Sequence, residues 1–453
     1  MGVGAAALAY ATVRMLQGAE PFATAFYIFA WYSTLLALYG ALSLVAGRSP
    51  SLRHPASLLT MLGWSSVVWL FFELLNFRVR NWYYVFVPAD LGWRWATTVV
   101  SFATVLPAVF GAEALLDALG SFERVRWPRL RVTPRLLRGV QIAGAGMLVL
   151  PLLWPRWFFP LVWGTTTFLL EPMVYRRDPE RSLLRDLELG RPGRLLRILI
   201  GGAAIGFVWE MYNIEARAKW IYTVPGLEEL KLFEMPVLGF LGFPPFAVDC
   251  YVIWQLLVLG GVAVPLAGRA RPAPTARRVG TALAAAVFVV CILAGMERFT
   301  FSSVTPRLDG LPAVPAALLR DGGYDVFALA AATPEDVERR TGASAAQALG
   351  WIETAKLARL RGIGDANARL LREVGIVSVS DLAGADAADL AARLQARTAT
   401  EVVDARIRVW VRAARAALRE ERYPSTTMSP AGPGVSSPTS AAGTPAATSS
   451  AAS

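Results

Sequence analysis

The chain has 453 residues, of which 55% are hydrophobic and 17% are charged, and this composition is too apolar for a soluble protein of that length. Its formal net charge is +11, but 17 basic and 16 acidic residues follow residue 304, so an excess of +10 belongs to the first 304 residues. A basic excess in short loops between apolar segments is typical of membrane topology signals and argues against a nucleic-acid-binding protein.

Apolar stretches recur through the first 298 residues, and each is long enough to cross about 30 Å of hydrocarbon. After an N-terminal segment at 1–22, they predict an all-α fold with a polytopic bundle of about eight transmembrane helices. The predicted spans are residues 23–46, 57–76, 93–118, 136–154, 157–175, 194–214, 236–266 and 279–296. Pro244 and Pro245 interrupt the seventh segment, so we expect it to be kinked or partly re-entrant.

Lysine and arginine are distributed unevenly between alternate loops. The loops after the first, third, fifth and seventh spans contain 19 of these residues, whereas the other three loops contain seven. Because positively charged loops stay in the cytoplasm, both termini are predicted on the opposite face of a bacterial cytoplasmic membrane. One miscounted span would reverse this prediction for the C-terminal domain.

Two passages share an unusual order of residues: WLFFELLNFRVRNWYYVFVP at 69–88 and FVWEMYNIEARAKWIYTVP at 207–225. A shift of 136 or 137 positions aligns four polar residues of the first half with four of the second, namely Glu73 with Glu210, Asn76 with Asn213, Arg80 with Arg217, and Glu113 with Asp249. Residues 155–298 therefore echo residues 23–154. Because each unit contains four spans, we expect a parallel repeat with its pseudo-axis along the membrane normal.

The repeated polar residues lie within apolar spans or near their ends, where an ionisable side chain is costly, about 2.5–3.5 kcal/mol at the bilayer centre. One interpretation is that these residues hold two lobes together through polar contacts, with the neighbouring Trp and Tyr anchored at the headgroups. The other interpretation is that Glu73 and Glu210, together with Glu113 and Asp249, line a central polar cavity. The sequence leaves both open.

The segment KWIYTVPGLEELKLFEMPVLGFLGFPPFAVDCY, at 219–251, places Glu234 before Met235 and Pro236 at the entry to a span. Its order of Trp-x-Tyr, an amphipathic stretch and a Glu/Pro pair resembles the small lycopene-cyclase family of repeated membrane bundles. The resemblance implies a lipid or isoprenoid ligand and an acidic residue as proton donor. In that family Pro precedes paired glutamates, whereas here Glu234 is single and precedes the proline.

A predicted linker at 299–309 follows the last span. The sequence LARLRGIGDANARLLREVGIVSVSDLAGADAADLAARL, at 357–394, resembles the helix-hairpin-helix module. The hairpin would consist of Arg361, Gly362, Ile363 and Gly364. The resemblance implies a small all-helical domain of tandem hairpins at 310–422, followed by a disordered Ser/Thr/Ala/Pro-rich tail at 423–453.

Helix-hairpin-helix modules of nucleic-acid enzymes offer backbone N–H groups to a phosphate. The C-terminal domain carries almost no net charge, and this argues against nucleic acid as its partner. Three alternatives stay open for residues 310–422: binding of a protein partner, self-association, or a role as a structural cap.

The chain contains no nucleotide-binding loop, zinc motif or histidine-activated nucleophile, so neither a cofactor nor a metal is predicted. Three functions stay open besides contact with the lipid bilayer. The first is a binding or transport-like bundle with a pseudo-symmetric polar site for a hydrophobic or lipid-like ligand. The second is a membrane-embedded enzyme that acts on a lipid or isoprenoid substrate with Glu210 or Glu234 as general acid. The third is a membrane anchor or scaffold for the helix-hairpin-helix domain.

Overall fold

The computed structural model describes residues 1–47, 55–224, 230–265, 271–398 and 401–422. The predicted disordered tail at 423–453 lies outside the described residues. The first part of the chain is mainly helical. Its helices are α1 Gly2–Leu16, α2 Phe26–Val45, α3 Pro55–Val79, α4 Leu91–Phe102, α5 Val105–Ala118, α6 Pro134–Leu153, α7 Pro155–Phe158, α8 Thr165–Arg177, α9 Leu183–Glu188, α10 Gly193–Glu215, α11 Phe243–Leu259 and α12 Thr275–Phe299.

Seven described segments are long and apolar enough to cross a membrane. They are Phe26–Val45, Ala56–Val79, Leu91–Ala118, Pro134–Leu153, Gly193–Glu215, Val237–Leu259 and Thr275–Phe299. The sequence predicted about eight, and the difference lies at 157–175. Here the chain forms α7, a 3-10 turn and α8, because the left-handed backbone of Gly164 (φ 101°) interrupts the helix. With 13 residues, α8 is too short to span a bilayer by itself.

The segment from α7 to α8 nevertheless returns the chain to the end of the bundle where α6 begins. Gly144 of α6 lies so close to α8 that a Cβ atom there would come within 2.6 Å of the backbone nitrogen of Leu169. At that end, the Trp127 N–H donates to the carbonyl of Gly190 over 3.2 Å. The two loops richest in arginine therefore lie side by side, and we call this end the arginine end.

Pro244 and Pro245 lie in the first turn of α11, directly after a 3-10 turn at Val237–Gly242. The sequence placed them inside one long, kinked span. A proline in the first helical turn removes no intrahelical hydrogen bond, so the pair begins the helix and leaves its interior unbent.

Two short antiparallel ribbons accompany the helices, and the sequence pattern did not indicate either of them. Strand β1 (Trp82–Val85) pairs with β2 (Lys219–Tyr222), and β3 (Lys231–Leu232) pairs with β4 (Met235–Pro236). We call the β1–β2 pair the ribbon. It connects the C-terminal ends of α3 and α10, at the end of the bundle opposite the arginine end.

The helices of the first part share one core of buried aromatic and aliphatic side chains, which includes Trp31, Phe72 and Trp254. Other large apolar side chains, such as Ile142 of α6 and Val287 of α12, are exposed on the outer surface. Exposed apolar side chains on long apolar helices are compatible with contact to lipid and hence with a multi-pass membrane protein.

The C-terminal region is a separate group of short helices with its own buried core. The helices are α13 Ala316–Asp321, α14 Val326–Ala331, α15 Pro334–Thr341, α16 Ala345–Arg359, α17 Gly364–Glu373, α18 Val379–Gly384, α19 Ala387–Gln395 and α20 Asp404–Arg422. Polar caps begin several of them. The Ser344 hydroxyl, for example, accepts from the N–H of Gln347, while the Gln347 side chain accepts from the N–H of Ser344.

The C-terminal region packs against the outer face of the ribbon. Side chains alternate between the two faces of a strand, so Tyr83, Val85 and Ile221 point away from the helical bundle. These three are buried together with Val409 of α20. The ribbon is therefore a shared layer, with the helical bundle on its inner face and the C-terminal region on its outer face.

Candidate functional site

Glu73 lies near the end of α3, and its side chain is completely buried. Its Oε1 atom accepts hydrogen bonds from the indole N–H of Trp69 (3.0 Å), the indole N–H of Trp82 (2.9 Å) and the hydroxyl of Tyr84 (2.6 Å). Trp69 lies one helical turn earlier, and the other two donors lie on the inner face of β1. Three donors on one oxygen offset much of the cost of burying this carboxyl group.

Glu210 occupies the matching place near the end of α10 and is also completely buried. Its Oε1 atom accepts from the indole N–H of Trp220 (3.2 Å) and from the hydroxyl of Tyr222 (2.8 Å), both on the inner face of β2. The Oε2 atoms of Glu73 and Glu210 are buried and have no hydrogen-bond partner among the described residues. Each glutamate is therefore held firmly through one oxygen only.

The two asparagines join the helix ends to the ribbon backbone. Asn76 donates from Nδ2 to the carbonyl of Trp82 (2.9 Å) and accepts at Oδ1 from the N–H of Asn81 (2.9 Å). Asn213 donates to the carbonyl of Trp220 (2.9 Å) and accepts from the N–H of the same residue (3.0 Å). In both passages, the glutamate thus holds the aromatic side chains of a strand while the asparagine holds its backbone.

The ribbon brings the two passages together in a reciprocal register. Trp82 lies opposite Tyr222, and Tyr84 lies opposite Trp220. In the sequence, a shift of 138 positions, one more than for the glutamates, aligns Trp82 with Trp220 and Tyr84 with Tyr222. Trp82 therefore lies opposite the counterpart of Tyr84, and Tyr84 lies opposite the counterpart of Trp82. Two like strands related by a twofold axis through the ribbon would show this arrangement.

The two repeated arginines face away from the bundle and contact other parts of the chain. Arg80 forms two hydrogen bonds with the Glu401 carboxylate, at 2.7 and 2.8 Å. The Arg217 guanidinium lies 4.2 Å from the ring centroid of Phe327 in α14 and 3.3 Å from Glu20. Both arginines thus connect the ribbon end of the bundle to the C-terminal region.

Glu113 and Asp249 have other partners. Glu113 accepts from Nε of Arg197 (3.0 Å), so it joins α5 to α10. Asp249 accepts from the backbone N–H groups of Gly164 and Thr167, both at 2.7 Å, and so caps the start of α8. The hypothesis that four acids line one polar cavity therefore does not match this geometry, because neither of these two is among the residues that line the cavity described next.

A cavity of about 440 Å³ lies beneath the inner face of the ribbon. Residues of both halves line it, and most of them are apolar or aromatic. Its tryptophans are Trp69, Trp82, Trp163, Trp209 and Trp220. Among the described lining residues, Glu210 is the only carboxylate and Lys219 is the only basic residue. The cavity is thus an aromatic chamber with one acidic group, and it differs from the polar cavity that the sequence suggested.

The surroundings of Lys219 turn its charge away from this chamber. Its ammonium group donates to the backbone carbonyl of Ile214 over 2.6 Å. Burial lowers the pKa of Lys219 below its usual value, and the nearby Glu234 carboxylate acts in the opposite direction. The Lys219 ammonium group therefore bonds to the backbone at the connection between α10 and β2.

Glu234 is almost completely buried and forms an ion pair with Arg361 of the C-terminal region. The next residue, Met235, lines the cavity, whereas Glu234 is not among the described lining residues. Glu234 is thus a buried acid beside the cavity, and its ion-pair partner belongs to the predicted hairpin.

The hairpin between α16 and α17 contains Arg361 (φ 43°), Gly362 (φ 75°), Ile363 and Gly364 (φ 74°). A Cβ atom on Gly362 would lie 2.2 Å from Cβ of Val85, so only glycine permits this close approach to β1. Ile363 is completely buried in the core of the C-terminal region. The backbone for which the sequence resemblance implied contact with a phosphate therefore lies against the ribbon of the same chain.

Most of the aromatic lining was not predicted from the sequence. Trp163 and Phe246 stack or pack edge-on against Phe72 between the two halves, and both line the cavity. The spacing of four between Trp69 and Glu73 is the one local signal that could have indicated a side-chain contact. The other lining residues come from distant parts of the chain, and no local pattern connects them.

In the part of the chain that the structure describes, no group of three or more histidine, cysteine, aspartate or glutamate side chains could hold a metal ion. Residues 307–417 match a family described as a domain of unknown function (DUF4332). No curated protein and no solved structure matches the chain. The chain thus combines seven candidate membrane spans with a C-terminal helical region that is similar to DUF4332.

Proposed function

We propose that this protein is a binding or transport-like membrane bundle that holds an apolar ligand in the aromatic cavity. The cavity itself carries the proposal, because about 440 Å³ lined by five tryptophans is large enough for a small lipophilic molecule. Aromatic walls with a single carboxylate favour a mostly apolar ligand whose orientation is set by one polar group.

The surface beside the cavity supports entry of the ligand from the bilayer. Leu238 and Leu241 line the cavity on the turn before α11, and they are 57% and 71% exposed. Both belong to a candidate membrane span. An apolar ligand dissolved in the hydrocarbon would therefore meet an apolar edge of the cavity and would not need to cross water.

The arrangement of basic residues supports an orientation with the arginine end in the cytoplasm. The C-terminal region packs on the ribbon, at the opposite end of the bundle. In this orientation the cavity and the C-terminal region lie near the outer face of a bacterial cytoplasmic membrane.

We also propose that residues 23–154 and 155–298 are two copies of one four-helix unit. The paired hydrogen bonds of Glu73 and Glu210, and those of Asn76 and Asn213, support this duplication. The reciprocal register of the ribbon supports a pseudo-twofold axis between the copies. The cavity would then lie at the junction of the two units.

The test begins with mass spectrometry of the molecules that leave the detergent-purified protein on denaturation. Ser101 lines the cavity from α4, so we expect Ser101→Trp to fill the space and reduce the co-purifying ligand about tenfold or more. Ala96 lies on the exposed side of the same helix, and Ala96→Trp is the matched control. Equal amounts of ligand in both variants and the wild type would contradict the proposal.

A second candidate is a membrane-embedded enzyme on a lipid or isoprenoid substrate, with Glu210 as general acid. The contact of Glu210 with the cavity favours it over Glu234, which is held by Arg361. If the protein converts the co-purified molecule to a product of different mass and Glu210→Gln does not, the enzyme is favoured. Unchanged ligand in both favours simple binding.

A third candidate is a membrane anchor for the C-terminal region, whose predicted helix-hairpin-helix would bind a protein partner. The hairpin residues Arg361 to Gly364 already lie against Glu234 and the ribbon. A partner would therefore have to bind the remaining surface of residues 310–422 or displace the hairpin. Crosslinking from that surface in cells, with the membrane part intact, would support the anchor.

A further inference from the structure

We infer that the cavity accepts a ligand with an apolar body and a positively charged amine, and that the Glu210 carboxylate binds this amine. The inference rests on the proposed ligand-binding function and specifies the class of ligand. It goes beyond that function, because an aromatic cavity could equally hold a neutral or an anionic apolar molecule.

The first argument is the incomplete hydrogen bonding of Glu210. Its Oε1 atom has two donors, but Oε2 is buried without a partner in the part of the chain that is described. A buried carboxylate oxygen is costly when it lacks a donor. Glu210 is among the residues that line the cavity, so a donor on a bound ligand would meet Oε2 once the carboxylate turns toward the cavity.

The second argument is the absence of an internal counterion. No ion pair of the described residues includes Glu210. Lys219 donates to the carbonyl of Ile214, and the charge of Lys231 acts on Glu234 more strongly than on Glu210, with which it forms no ion pair among the described residues. A cationic ligand would supply the missing positive charge.

The third argument is the aromatic lining. Indole and phenol rings attract cations to their faces, and aromatic cages that recognise ammonium groups use several such rings around one acid or dipole. Here Trp209 and Trp220 line the cavity beside Glu210, and Tyr27 lies edge-on to Trp220. A neutral donor such as an alcohol could hydrogen-bond to Oε2 but would supply no charge, and an anion would be repelled by the carboxylate.

The experiment uses three probes of one shape and different charge. These are 1-aminoadamantane, which is cationic at neutral pH, neutral 1-adamantanol and anionic 1-adamantanecarboxylate. Binding to the full-length protein in nanodiscs is measured by equilibrium dialysis, with empty nanodiscs as the blank. We expect the amine to bind about tenfold more tightly than the alcohol and the carboxylate to bind most weakly.

Glu210→Gln should remove the difference between amine and alcohol and leave alcohol binding nearly unchanged. Glu171→Gln is the matched control, because Glu171 is a buried carboxylate that accepts from Ser182 and Leu184 and does not line the cavity. This variant should keep the wild-type preference. If Glu210→Gln does not fold, the order of the three probes on the wild-type protein still decides the question.

The outcomes separate the two proposals. If all three probes bind equally and Ser101→Trp abolishes their binding, the inference of a cationic ligand is wrong. The proposal that the cavity binds an apolar ligand would remain supported. Tightest binding of the carboxylate would also contradict the inference of a cationic ligand. If no probe binds and no ligand co-purifies, both the proposed ligand-binding function and the inferred preference for an amine are contradicted.

Discussion

The Glu73 and Glu210 clusters have the same plan but differ in one donor. Glu73 accepts from Trp69, Trp82 and Tyr84, whereas Glu210 accepts only from Trp220 and Tyr222. Glu210 lines the cavity, while Glu73 is not among its described lining residues. A single missing indole therefore accompanies the difference between a buried acid away from the cavity and a buried acid among its lining residues.

The missing donor has a clear structural origin. The shift of 137 that carries Glu73 to Glu210 carries Trp69 to Gly206. A Cβ atom on Gly206 would lie 2.1 Å from the ring of Phe243, so this ring occupies the space beside the glycine. The first cluster uses a side chain of its own helix as a donor. The second accommodates a ring from α11 that cannot donate.

This comparison teaches that structural and functional roles of an intramembrane acid can be separated within one protein. The Asn and the strand aromatics are common to both clusters and connect each helix to the ribbon. The features that differ are Gly206 and the place of Glu210 among the residues that line the cavity. Three changes test whether the two clusters are equivalent in structure and unequal in function.

The largest effect is expected from removing the asparagines. Asn76→Ala and Asn213→Ala each leave buried backbone groups of the ribbon without partners, at a cost of about 1–3 kcal/mol for each group. Both variants should therefore lower the melting temperature in one detergent by similar amounts. A large loss in one variant and none in the other would show that the clusters are not equivalent supports of the ribbon.

A smaller effect is expected from filling the space beside Gly206. Gly206→Ala forces Phe243 to move, and overpacking of this kind costs about 1–3 kcal/mol. Phe243 lines the cavity, so ligand binding should weaken as well. Gly63 of α3 has no heavy atom within 4 Å of its Cβ position, so Gly63→Ala serves as the control: it should leave ligand binding unchanged and should not lower stability, because alanine favours a helix over glycine. Unchanged ligand binding by Gly206→Ala would show that this glycine does not influence the cavity.

The smallest effect concerns the arginines beyond the clusters. Arg80→Gln removes an ion pair whose side chains are 38% and 59% exposed, so we expect a loss of about 0–1 kcal/mol. The Arg80 guanidinium lowers the pKa of Glu401 below its usual value. The pair thus contributes at neutral pH, and its contribution disappears as the pH falls through that lowered pKa.

Melting temperatures of the wild type and Arg80→Gln should therefore converge in acid. A constant difference down to the acid limit of folding would show that the contact of Arg80 with Glu401 is not electrostatic.

Local patterns determined much of the fold. Hydrophobic length predicted the long apolar helices. Six of the eight predicted spans, all except 157–175 and 236–266, correspond closely to the observed candidate spans. The spacing from Glu73 to Asn76, repeated at Glu210 and Asn213, predicted that each pair would lie on one helix face. Length alone could not detect the break at Gly164, because a left-handed residue inside an apolar stretch leaves its hydrophobicity unchanged.

Only the tertiary structure decided which acid faces the cavity and where the hairpin lies. Glu73 and Glu210 share the spacing to an asparagine and an arginine. They differ in that Phe243, from another helix, lies beside Gly206 where the first passage has Trp69. Arg361 and Glu234 are far apart in the chain, yet they pair where the C-terminal region packs on the ribbon. The sequence by itself determined the helices and the repeated polar residues, since these depend on near neighbours. Long-range packing decided the partner of each residue. The sequence could not show these partners, because side-chain contacts between distant segments leave no periodic signal.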